Sequence, residues 1–264
     1  MLSHLFQIAC LLGLSSILLS PGYPEVENRT FEKGEYLEYR VHYGFLTGGF
    51  ASIEVAEQSV TKAGRSCHHL RAKGWTNPTF DLFYKVRDTY ESFVDEKSLL
   101  PLHFRRDIRE GSFRSFTEVY FDHHQDSAIY FNPRKLRIPY AVPDNIQDVI
   151  SAFFYARTTQ DPSDFSPGDA LDLRCFLDRK VFALKAELLE REVIKIAGEE
   201  YKSLHFKLLV EEVGLITDGG SVEFWISDDA NKIVLRIKSD LLIGSLKADL
   251  IKAKGLKHPF LSRQ

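Results

Sequence analysis

Methionine occurs once in this chain, tryptophan twice and cysteine three times. So few thiols exclude a disulfide framework, and no Cys/His spacing suits a structural zinc site. Charge of either sign is nearly cancelled: 34 Lys and Arg stand against 37 Asp and Glu, a formal net charge of −3. That leaves no global electrostatic drive toward nucleic acid or a membrane surface. Beyond residue 19, no apolar run reaches transmembrane length. Also missing are the GxSxG elbow, HExxH, GxGxxG and the GxxxxGK phosphate loop. A nucleophilic elbow, a zinc protease and a nucleotide fold therefore have no sequence support.

What is present is aromatic and apolar. Phe occurs 20 times and Tyr 11 times, and apolar residues make up 44% of the chain, enough for a sizeable core. Leu5 to Leu19 carries no charge and is followed by Ser20-Pro21-Gly22. Residues 1–22 are read as a secretory signal peptide cleaved before Tyr23, although no Lys or Arg precedes the run. Cys10 would leave with it. Cys67 and Cys175 then remain in a compartment that permits a disulfide, and the sequence leaves their pairing open. Cys175 falls in the alternation Leu171, Leu173, Cys175, Leu177, as a buried thiol would.

The chain reads as if written twice. GEYLEYR (Gly34–Arg40) is echoed by GDALDLR (Gly168–Arg174), AGRSCHHL (Ala63–Leu70) by AGEEYKSL (Ala197–Leu204), and DIREGSFRS (Asp107–Ser115) by DLLIGSLKA (Asp240–Ala248). The order is kept and the offsets are 134, 134 and 133. Within each half the apolar period is two: Leu37, Tyr39, Val41 and Tyr43 alternate with Glu38, Arg40 and His42. Glycine turns such as Thr47-Gly48-Gly49, Ala63-Gly64, Ala197-Gly198 and Asp218-Gly219-Gly220 separate the runs. The fold class expected is mainly β: two duplicated antiparallel halves, about twelve to fourteen strands, in a curled or barrel-like sheet. The divisions are a lead (23–33), a first β half (34–142), a helix and linker (143–167), a second β half (168–251) and a frayed basic tail (252–264). One connecting helix is expected, capped by Asp144, with Gln147 three residues on and a stripe of Val149, Ile150, Phe153 and Phe154. It should plug or cover the sheet.

The segment SVEFWISDDANK (Ser221–Lys232) looks most like chemistry, because Asp228 and Asp229 follow Trp225. The repeat places them opposite Asp95-Glu96, between strands in both halves, so a turn explains them better than a site. Asp122, His123, His124 and Asp126 are the better metal candidates, but they too read as a turn. No metal and no cofactor is expected. Arg105 and neighbouring arginines alternate with apolar residues, as on the outer face of a sheet; the functional alternative is an anionic envelope ligand. Arg105, Arg157, Trp225 and Asp228 stand as the ligand-binding candidates, and no catalytic residue is assigned.

GEYLEYRVHYGFLTGGFASIEV, VRDTYESFVDEKSLLPLHF, DVISAFFYAR and FWISDDANKIVLRIKSDLLIGSLKADL together resemble the bacterial exported family called domain of unknown function 3108, over nearly all of residues 34–251. The resemblance implies a bacterial periplasmic or envelope protein of mainly antiparallel β structure. It implies no activity and transfers no residue role. The expected function is non-enzymatic: binding of an apolar or amphipathic envelope molecule, or a structural accessory role. Possible partners are a lipid or an anionic glycan, with peripheral envelope association. The alternative is a hydrolase of envelope glycan or lipid drawing on Asp88, Asp95, Asp228 or Asp229. A carrier would leave an apolar cavity and a scaffold would fill it. Oligomeric state, and whether the halves form one barrel or two packed units, are left open by the sequence.

Overall fold

The computed structural model describes residues 23–132, 135–161, 164–210, 221–241 and 243–264. The signal-peptide reading and the Asp218-Gly219-Gly220 turn lie outside the described residues. The chain is mainly antiparallel β. The first half holds β1 (Tyr36–Tyr43), β2 (Leu46–Val55), β3 (Val60–Lys62), β4 (Arg65–Thr76), β5 (Arg87–Asp95), β6 (Pro101–Glu110), β7 (Phe113–Asp122), β8 (Ser127–Asn132) and β9 (Lys135–Ala141). The second holds β10 (Ala170–Leu177), β11 (Lys180–Ile196), β12 (Glu199–Val210), β13 (Val222–Ser227), β14 (Val234–Asp240) and β15 (Ser245–Lys254). The repeated segments lie on corresponding strands, β1 with β10, β4 with β12, and the β6–β7 turn with the β14–β15 turn. The Ala63-Gly64 and Ala197-Gly198 turns both place two successive residues at positive φ (+47 and +75°, +50 and +95°). That twist matches the flanking strands of a two-residue hairpin.

Among the described residues all fifteen strands form one sheet, in the order β10-β11-β12-β13-β14-β15-β1-β2-β4-β5-β6-β7-β8-β9, with β3 on β4. The halves join where β15 pairs with β1, from Tyr36 opposite Lys254 to Tyr43 opposite Leu246. Twist accumulated over so many strands curls the sheet on itself. Its two ends meet through side chains: Phe176 of β10 lies 5.6 Å from Tyr140 of β9 and 6.3 Å from Phe121 of β7, ring centre to ring centre. The open edge of β10 is covered by the segment before the second helix. Gln147 N–H donates to Arg174 O at 2.9 Å and Phe176 N–H to Gln147 O at 2.8 Å, which blocks strand addition there.

Among the described residues, two helices punctuate the sheet. A short one, α1 (Pro78–Asp81), sits in the β4–β5 connection, where Asn77 accepts from Phe80 N–H; the periodicity gave no sign of so short a turn. The connecting helix α2 (Ser151–Thr159) starts seven residues after Asp144, so the expected cap is corrected. Asp148 takes that part instead: its Oδ1 accepts from Ile150 N–H and Ser151 N–H, both at 2.8 Å, and its Oδ2 accepts from Ser92 Oγ at 2.6 Å. The carboxylate thus ties α2 to β5. The tail is not frayed either. Leu256 and Phe260 pack on the core, and Ser262 is fully buried, donating from Oγ to Lys202 O at 2.6 Å.

Burial raises the Asp148 carboxyl to about 6 from an ordinary 3.8, its hydrogen bonds only partly opposing the loss of water. The folded value lies above the unfolded one, so the native state holds this proton more tightly. Its contribution is full at low pH and is lost as the pH rises from about 4 to about 6. Asp148→Asn keeps the acceptor oxygen and cannot ionise. Urea unfolding at steps across that range should show wild-type stability declining relative to the variant. Parallel curves would mean that Asp148 titrates alike in both states.

Candidate functional site

The strand period decides which side chains face the concave side of the curl. On β13, Val222, Phe224 and Ile226 point inward while Glu223 and Trp225 point outward, and on β12 Phe206 and Leu208 point inward. Ile53 on β2 and Ala72 on β4 do the same in the first half. These apolar faces do not meet. They surround a cavity of about 620 Å³, which α2 flanks with Phe153 and Ala156. A cavity of that size and lining is the usual form of a small-molecule site.

Polar groups mark its two ends. At the inner end the Arg157 guanidinium donates to both carboxylate oxygens of Glu35 (2.6 and 3.0 Å) and to Asn231 O (2.8 and 3.1 Å). Lys232 donates from Nζ to Gln160 O at 3.0 Å, and burial lowers its pKa. At the outer end stand Lys73 and Asp88, with Ile237 40% exposed. Asp88 Oδ1 accepts from Arg109 N–H at 2.9 Å. Burial, then the Asp88 charge, raises the pKa of Glu110 beside it.

Of the four candidates read from the sequence, Arg157 lines the cavity and the other three do not. Arg105 stands on the convex face of β6, 3.3 Å from both Glu91 and Glu118. Trp225 is convex too, stacked on His205 (4.1 Å between ring centres) and donating from Nε1 to Glu192 Oε1 at 2.6 Å. Asp228 lies in the β13–β14 turn and pairs with Arg191 at 3.2 Å. Its neighbour Asp229 accepts from Ser227 Oγ (2.9 Å), Asn231 N–H (3.0 Å) and Ser262 N–H (3.0 Å), so it holds the turn and the C-terminal segment together. Asp228→Asn is therefore expected to change stability by less than about 0.5 kcal/mol. Asp229→Ala should cost about 1–3 kcal/mol through three orphaned donors. Denaturant unfolding of the two variants checks the ranking, and a larger loss in Asp228→Asn would point to a role beyond the turn.

The remaining carboxylates do not form a cleft. Asp88 and Asp95 sit seven residues apart on one strand, roughly 23 Å at the usual rise. Asp95 is occupied by Arg65 and Ser98, and these hydrogen bonds hold its pKa down against burial, the largest contribution. Asp122 Oδ1 accepts from His124 N–H and Gln125 N–H, while His123 Nε2 lies 2.7 Å from Pro101 O and His124 stacks on Tyr23. Among the described residues the cluster with metal-ligand spacing is a different one, Glu190, Glu192 and His205 on the convex face. Glu190 and Glu192, two apart on β11, share a face by alternation, and a bulge between Leu188 and Glu190 puts that face opposite the one on which Leu188 is buried, a shift that alternation alone does not signal. Cys67 and Cys175 are both free and buried, their thiols pushed up to about 11 and about 12 by burial.

The family model described as protein of unknown function (DUF3108) matches residues 38–251. Among solved structures, the chain is similar to a β-barrel-like protein of domain of unknown function DUF1849 from Brucella abortus. Identity is 9%, covering 85% of this chain and 98% of that one, with a TM-score of 0.56, so the two share a fold. A protein from Parabacteroides distasonis, provisionally named a lipoprotein, is 12% identical over 88% of this chain and 100% of its own, at a TM-score of 0.38. One from Bacteroides fragilis with a YmcC-like fold, provisionally named as exported, is 12% identical over 87% and 99%, at 0.34. Neither of the last two scores equates folds. No curated protein matches the chain.

Proposed function

Since this chain belongs to the DUF3108 family, we propose that it is a non-enzymatic envelope protein that binds one apolar or amphipathic molecule inside its curled sheet. The observation that carries this reading is the cavity of about 620 Å³, bounded almost wholly by aliphatic and aromatic side chains of both halves and α2. Side chains of ordinary size fill the inside of a small β curl when its task is only structural. Here the inward positions include Ala51, Ala72, Ala186 and Ala248, too small to reach across. An apolar tail would take the walls, and a polar head would rest at the outer end near Lys73 and Asp88. The apolar run at residues 5–19 supports export and thus an envelope ligand. Apolar molecules of the envelope are insoluble in the aqueous periplasm, which is where a closed apolar container has a use.

The test is mass spectrometry of molecules extracted from residues 23–264 purified from the envelope without detergent. A lipid or lipid-like molecule at about one per chain is the expected result. A folded protein that carries nothing, and takes up nothing when offered oleate or a lysophospholipid, would sink the reading.

A further inference from the structure

The apolar surface of this protein is concentrated at one end. The antiparallel order places the β1–β2, β4–β5, β6–β7 and β14–β15 connections together, at the end of the curl where Lys73, Asp88 and Ile237 line the cavity. At their tips Phe45 is 91% exposed, Leu82 82%, Phe83 83% and Ile243 77%, with Phe113 and Leu241 at least half exposed. The opposite end, formed by the β3–β4, β5–β6, β11–β12 and β13–β14 turns, offers as large apolar side chains at least half exposed, among the described residues, only Leu261 at 72% and Val193 of β11 at 51%. Four separate loops have thus placed large side chains in water around the same opening, a cost that folding does not repay.

Charge on this rim selects the partner. Asp81 is paired with Arg87, Asp178 with Arg106 and Asp240 with Lys238. Lys85, Arg114 and Lys180 are exposed and make no ion pair among the described residues. Asp88 and Glu110 beside the mouth make no ion pair either, but among the described residues Lys73, Lys85, Arg114 and Lys180 outnumber them, so the unpaired charge beside the apolar tips is mainly positive on a chain whose formal net charge is −3. Exposed aromatic and aliphatic tips flanked by free cations fit a lipid surface with anionic headgroups.

We propose that this rim docks onto an anionic lipid bilayer, with Phe45, Leu82, Phe83 and Ile243 entering the interface and the cavity mouth facing the lipid. The role of such docking rests on the cavity being a ligand site, because it would let an apolar ligand pass between bilayer and cavity without crossing water. Its test does not. Residues 23–264 are floated with vesicles of phosphatidylglycerol and phosphatidylethanolamine, and with vesicles of phosphatidylcholine alone. The protein should float with the first, with at least tenfold weaker partition onto the second, and the attachment should weaken as salt rises. The variant Phe45→Ser/Phe83→Ser/Ile243→Ser should lose at least tenfold in partition while keeping its unfolding curve and its uptake of oleate in solution. Wild-type protein that stays in the aqueous phase with every vesicle overturns the proposal, as does a triple variant that floats equally well. A concentration-dependent dimer in sedimentation, absent from the triple variant and without vesicle binding, would assign the rim to a protein partner and overturn it too. Loss of oleate uptake with vesicle binding intact would remove the carrier reading and leave the docking surface.

Discussion

Arg157→Ala is expected to destabilise the protein by about 3–5 kcal/mol. The Arg157 side chain is 2% exposed and that of Glu35, its partner, 1%. Both charges are out of water, and each is tolerated because the other is there. The guanidinium also satisfies the carbonyls of Asn231 and Thr30 and lies 5.1 and 5.3 Å from the Phe153 and Phe154 ring centres. Its removal leaves a buried carboxylate with no counter-charge and two carbonyls with no donor. The double variant Arg157→Met/Glu35→Leu removes both charges together and should recover much of the loss, because the desolvation cost disappears with the pair. Equilibrium urea unfolding of wild type, single and double variants reads both quantities. A single variant within about 1 kcal/mol of wild type would mean that water reaches this site and that the pair is not a buried anchor. The stake is larger than one ion pair. Arg157 joins α2 to the residue preceding β1 and to the β13–β14 turn, so it fixes the helix across both halves at the inner end of the cavity.

How much of this was visible beforehand depends on the range of each interaction. Period-two alternation in Leu37–Tyr43 and Leu171–Leu177 exposed the strands, and the glycine pairs exposed their turns, because both signals are local. The acidic pair at Asp228-Asp229 was legible as a turn for the same reason. The order of strands was not local: nothing in Tyr36–Tyr43 announces pairing with Ser245–Lys254. The helix boundary slipped because Asp144 and Asp148 carry the same side chain, and only the second has Ser92 of β5 opposite it. The tail looked frayed because its partner, Asp229, is thirty-three residues away. The site was the least legible part. Alternation shows which face is apolar but not whether opposite faces touch, and the alanines at 51, 72, 186 and 248 gain meaning only once their distance across the curl is known. The exposed tips Phe45, Phe83 and Ile243 likewise lie on separate loops and become one rim only through the strand order.

Filling the cavity should therefore separate a container from a packed core more sharply than any loss of a polar group. Ala156→Trp, with Ala248→Phe added where one change is not enough, is expected to cut oleate affinity at least tenfold and to leave the fold as stable as before. Ala156 and Ala248 both border the cavity, from α2 and from β15. An indole buries about 150–250 Å² where it finds room. In an empty apolar cavity that burial is favourable and offsets the small loss of helix propensity. In a core already packed to normal density the same side chain would force its neighbours off their rotamers, at about 1–3 kcal/mol. The two readings thus predict opposite signs in one experiment. Calorimetric titration with oleate, beside urea unfolding of the same variants, gives both numbers. Binding lost with stability kept is the expected outcome and makes the cavity the binding site. Stability lost by more than about 1 kcal/mol, with no binding in the wild type to lose, would mean that the curl is closed on itself and that the protein acts through its surface.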